Sequence, residues 1–136
     1  MNLSRVALIT AAAGFTGFGA ACLIRPKSML ERADVRARSA NGTTELRAMY
    51  GGLELGLGAF FATAAAKPEW TRPALLAQTL GLGAVAGSRL AGIVRDHPRG
   101  RLMKALFVAE SAAAALGAIA LARPPREKTV AGLRAA

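Results

Sequence analysis

Leu46-Arg47-Ala48-Met49-Tyr50-Gly51-Gly52-Leu53-Glu54-Leu55-Gly56-Leu57-Gly58 decides how the rest of the chain is read, because it opens an apolar run that continues to Ala66. Nineteen residues separate Arg47 from Lys67, and Glu54 is the one charged residue among them. About twenty apolar residues are what a helix needs to cross the hydrocarbon core of a bilayer. The spacing therefore predicts a transmembrane helix over 46–66 that carries a carboxylate. An ionisable group at that depth costs on the order of 3 kcal/mol or more unless it is paired or hydrated, so other parts of the chain should supply partners.

Composition agrees with that reading. The chain has 136 residues, 53% of them apolar and only 5% aromatic, and it is expected to form a single integral membrane domain over 1–136. Its net charge of +10 raises nucleic acid as a partner, but the charges sit between four apolar runs and no stacking aromatics or reader motif accompany them, so no nucleic-acid partner is expected. Of the charged residues only Glu54, Arg89 and Glu110 fall well inside the runs. Cys22 is the single cysteine and His97 the single histidine, which leaves no internal disulfide, no metal site and no cofactor to be expected from the sequence.

Four helices are expected, at about 6–24, 46–66, 73–94 and 104–122, followed by a basic tail over 123–136. The first run lies between Arg5 and Arg25 and is longer than the usual core of a signal peptide. A cleaved signal is the rival reading, since Gly19-Ala20-Ala21 precedes Cys22, but the aliphatic residue expected three positions before that cysteine is missing. In the connection from Lys27 to Glu45, Ser28-Met29-Leu30-Glu31 has the spacing of a capping box, Asn41-Gly42 signals a turn, and Thr44 is placed to cap the second helix. Met29, Leu30, Ala33 and Ala37 form a thin apolar stripe, with Arg32, Arg36 and Arg38 available to anionic headgroups. Short links at 67–72 and 95–103 make neighbouring helices antiparallel, so the fold class is all-α, an up-down-up-down transmembrane bundle. Trp70 falls where an aromatic anchors at the headgroups.

Depth follows from about 1.5 Å of rise per residue. Glu54, Arg89 and Glu110 then each lie roughly 9 to 10 Å below the face that carries the 25–46 connection. An arginine between two carboxylates makes all three tolerable in a low dielectric. With one arginine for two acids, one carboxylate either stays protonated near neutrality or takes Arg47 as a second partner. Helical spacing puts Arg47, Tyr50, Gly51, Glu54 and Gly58 on one face, and Gln78, Leu82, Val85 and Gly92 on the face through Arg89. Gly52 with Gly56, Gly83 with Gly87, and Ala113 with Gly117 form small-xxx-small pairs suited to close helix approach. The cluster reads equally as bundle glue and as a ligand or proton site.

At Glu45 to Glu54, followed by Ser88-Arg89 and by Glu110, the chain resembles a bacterial family of small four-helix integral membrane proteins of unknown function, distantly DoxX-like. The resemblance covers nearly the whole chain, and Arg47-x-x-Tyr50-Gly51-Gly52-x-Glu54 is its most specific part. It implies a four-helix membrane fold in the bacterial inner membrane and leaves the activity open.

Two functions are expected from these features. The first is a non-enzymatic subunit or accessory factor of a membrane complex, whose partners are the lipid bilayer, other membrane proteins or further copies of the chain. The second is binding or transfer of a small amphiphile, a quinone or a lipid, at the Glu54, Arg89, Glu110, Arg47 and Tyr50 cluster. No nucleophilic set or phosphate loop is present, so an enzyme would have only acid and base chemistry at the carboxylates. The positive-inside rule places the 25–46 face in the cytoplasm.

Overall fold

Asn2 begins the first helix by accepting the Arg5 backbone N–H on its side-chain oxygen at 2.9 Å, which satisfies one of the free donors every helix start exposes. From there the chain is all-α in a computed structural model that describes residues 2–123. In order come α1 (Leu3–Ile24), α2 (Pro26–Glu31), α3 (Ala40–Arg47), a π turn (Ala48–Gly52), α4 (Leu53–Ala66), α5 (Pro68–Asp96) and α6 (Leu102–Ala122). The expected basic tail lies outside the described residues from 124 onward.

Several local signals resolve differently from expectation. Ser28 does not cap α2; Pro26 occupies its first turn, and the Ser28 hydroxyl donates to the Arg25 carbonyl at 3.3 Å. Proline suits that position because its missing N–H would be free there anyway. Asn41-Gly42 is helix, not turn, because Ser39 caps α3 one turn earlier by accepting the Gly42 N–H at 3.2 Å. Thr44 is therefore inside the helix, where its hydroxyl donates back to Ala40 O at 3.1 Å. The second long helical segment thus starts at Ala40, and the π turn interrupts it, ending two residues before Glu54.

The third helix begins at Pro68 instead of Pro73. Lys67 alone separates α4 from α5, in the extended conformation (φ −114°, ψ 110°) that the residue before a proline prefers. Trp70 is consequently in the first turn of α5, half-exposed and edge-on to Phe60 at 6.2 Å between ring centres. At the other end of α5, His97 takes the left-handed conformation (φ 47°) and stops the helix.

Packing is most extensive between α5 and α6 and next between α1 and α4. Both pairs are antiparallel. In the first, Arg72 reaches Leu121 O, Gln78 donates to Ala113 O at 2.9 Å, and Arg89 reaches Glu110. In the second, Gly51 lies against Leu23, Gly19 against Glu54 and Leu55, Gly58 against Thr16, and Phe15 against Phe61. Gly19 is required there: a Cβ on it would stand 2.9 Å from Leu55 N and 3.0 Å from Gly51 O, closer than backbone atoms allow. The glycines that fit the helices together are therefore Gly19, Gly51, Gly58 and Gly117. Among the described residues Gly56, Gly83 and Gly87 have no neighbour within 4 Å of where a Cβ would stand, and Gly52 meets only the Arg47 carbonyl at 3.9 Å, so two of the three expected small-residue pairs do not form contacts there.

All four long segments contribute to one core, made of Ala7, Leu8, Ala11 and Ala12 of α1, Phe61 and Ala64 of α4, Ala74 and Leu75 of α5, and Ala120 of α6. A smaller cluster, Cys22 with Leu30 and Leu46, pins α2 and α3 to the end of α1. Leu3–Ile24 and Leu102–Ala122 are long and apolar enough to cross a membrane. Elsewhere the π turn leaves α4 with 14 residues of regular α-helix.

Candidate functional site

The site is assembled by the α5–α6 hairpin. The antiparallel register set by Gln78 against Ala113 and Gly117 carries Arg89 of α5 alongside Glu110 of α6. Their side chains meet as a two-pronged fork: Nε donates to Oε2 at 2.7 Å and Nη2 donates to Oε1 at 2.6 Å. Such planar pairing uses both carboxylate oxygens and is the strongest form of ion pair available to a protein. The two side chains are 23% and 17% exposed, so the pair is sheltered but not sealed. The third nitrogen, Nη1, faces the Met103 sulfur at 3.4 Å, a weak acceptor.

Glu54 does not join them. No cation comes within ion-pairing distance of it among the described residues. It stands on the first turn of α4, partly buried, with its Cβ against Gly19 of α1. The expected three-charge cluster is therefore one arginine–glutamate pair on the α5–α6 hairpin and one separate carboxylate on the α1–α4 pair. Arg47 is not its second partner either, because its Nε donates to Leu23 O at 3.3 Å and closes a free carbonyl in the last turn of α1. Tyr50, in the π turn, is 38% exposed.

Two features were not anticipated. Beside the pair, Ala84, Val85, Ser88 and Arg89 line an open depression of about 450 Å³ on α5. A second depression, of about 260 Å³, lies toward the other end beside Arg5 and Thr71. The other feature is Gln78, expected on the Arg89 face but 1% exposed, with Nε2 bonded to Ala113 O and a buried Oε1 that has no donor among the described residues. No sequence pattern marks Met103 as a neighbour of Arg89, since the two lie on either side of a loop. Among the described residues no group of three or more His, Cys, Asp or Glu side chains is placed to hold a metal ion.

A family model described as a domain of unknown function, DUF4345, matches residues 3–121. The chain belongs to the DUF4345 family. No curated protein and no solved structure matches it. The DUF4345 match runs from the first residue of α1 into the last turn of α6, so it contains Glu54, Arg89, Glu110 and the whole π turn.

Proposed function

We propose that this DUF4345 protein is an integral membrane protein of the bacterial inner membrane, a distant relative of the DoxX-like proteins, in which α1, the α3–α4 segment, α5 and α6 form an up-down-up-down bundle. Its proposed role is that of a non-enzymatic subunit or accessory factor of a larger membrane complex. The observation that carries this reading is the outward direction of its apolar surface. The apolar stretch of α6 is only 11% buried, and Leu76, Leu80, Val85, Leu90, Val108 and Ile119 are all exposed. In water such a surface would drive association; in lipid it is the expected exterior. The polar pair supports the same role, because Glu110 spends both oxygens on Arg89 and so acts as a fastener between α5 and α6.

Two measurements test the proposal. Alkaline carbonate should leave the protein in the membrane pellet, and native mass spectrometry after mild detergent extraction from its host should show stoichiometric protein partners. Release by carbonate refutes the membrane assignment; a lone chain without partners refutes the accessory role.

A second reading, binding of a small amphiphile, is favoured by one observation. The depression at Ala84, Val85 and Ser88 opens directly beside the Arg89 guanidinium.

A further inference from the structure

Arg89 carries five N–H groups, and its fork with Glu110 employs two of them. Of the rest, those on Nη1 meet only the Met103 sulfur among the described residues. We infer that the depression on α5 is a binding site for the acceptor oxygen of a neutral amphiphile, held by the free edge of the Arg89 guanidinium and by the Ser88 hydroxyl. This deepens the amphiphile reading and rests on the chain spanning the bilayer.

The placement supports it. Ala84, Val85, Ser88 and Arg89 follow the i, i+1, i+4, i+5 pattern of one helix face, and all four line the depression. Ala84, Val85 and Ser88 are exposed on that face. The depression is wide and open to the exterior of α5, so it offers contact to a head group on one side. Arg89 is six residues before Arg95, hence roughly 9 Å inside the charged end of α5. Hydrocarbon offers no acceptor to the spare N–H groups of Arg89 at that depth, so an oxygen from a bound molecule would satisfy them.

Charge selects the class of ligand. Glu110 already neutralises Arg89, and an anionic head would bring a second negative charge beside that carboxylate. A carbonyl oxygen brings none and accepts from both donors. Ala84 leaves room for the head, and Val85 offers an apolar wall to the tail. Two sources present this chemistry: a free amphiphile with a carbonyl head, and the ester carbonyl of a glycerolipid.

The test uses the full chain in nanodiscs of a diether phosphatidylcholine, which has no ester carbonyl, with decylubiquinone or dioleoylglycerol added. Binding is read by native mass spectrometry and by the infrared shift of the probe's carbonyl stretch. The expected result is one retained probe per chain with a down-shifted carbonyl, weakened about fivefold in Ser88→Ala and lost in Ala84→Leu, which fills the depression. Retention of decylubiquinone assigns the site to a free amphiphile; retention of dioleoylglycerol alone assigns it to a lipid ester. A chain that inserts and folds but retains neither probe overturns the site alone, as does equal retention by both variants. Failure to resist carbonate extraction overturns the spanning reading and the site with it.

Discussion

Replacing Gly19 by alanine tests the close backbone approach of α1 to α4. The added methyl would stand 2.9 Å from Leu55 N, 2.9 Å from the Glu54 Cβ and 3.0 Å from Gly51 O. Two of these are backbone atoms of α4 and the π turn, which no rotamer change can move. Comfortable separations are about 3.5–4.0 Å, so α1 and α4 must part locally by roughly 0.5–1 Å. That displacement forfeits a quarter to a half of the dispersion energy at each neighbouring contact, among them Gly51 on Leu23 and Gly58 on Thr16. Overpacking of this kind costs about 1–3 kcal/mol. Gly17→Ala is the control, since nothing lies within 4 Å of a Cβ there. Removing a helical glycine at an open position should be neutral or stabilising by up to about 1 kcal/mol. Unfolding in mixed detergent, followed by far-UV circular dichroism, compares the two variants with the parent. Equal stability of Gly19→Ala and Gly17→Ala would refute the close approach of α1 to α4.

Three further outcomes are expected. Arg89→Leu and Glu110→Leu should each destabilise the protein by up to about 3 kcal/mol, somewhat below the range for sealed pairs because both side chains retain some exposure; the double variant should be less harmed than either single one, which a double-mutant cycle measures. Gln78→Leu exchanges the bond to Ala113 O for removal of an orphaned carbonyl oxygen, so its stability should stay within about 1 kcal/mol of the parent in the same unfolding assay. Cys22→Ser places a hydroxyl among Leu30 and Leu46 in a fully buried position and should cost about 1–3 kcal/mol, visible as faster hydrogen exchange across α2 and α3.

The sequence made the helices legible because run length and flanking charge are one-dimensional properties. The Arg89–Glu110 pair was legible for the same reason: a short loop forces α5 and α6 to be antiparallel, and counting back from the loop brings the two residues level. Glu54 was not legible, because its level along a helix does not say which neighbour its helix packs against. Its side chain lies on the face that Gly19 meets, within the α1–α4 pair. The π turn adds a second obstacle. One inserted residue turns the following helix by about 100° relative to the preceding one. Spacings of three and four counted across Ala48–Gly52 therefore fail, and Arg47 reaches Leu23 instead of Glu54. The glycine pairs failed for a simpler reason: small residues permit close approach but do not cause it, and Gly83 and Gly87 have open space beside them.

The order in which the helices pair also bears on how the chain is made. Gly19 finds its partners at Gly51, Glu54 and Leu55, which are synthesised 32 to 36 residues later. At about 5–20 residues per second, α1 exists for roughly 2 to 7 s before the backbone that fits it has been made. Its notch at Gly19 stays empty through that interval. In the α5–α6 hairpin the intervals grow with distance from the loop, from 21 residues between Arg89 and Glu110 to 49 between Arg72 and Leu121. The first helix made thus waits for the second long segment, while the last two can begin to pair near their loop and close its far end last.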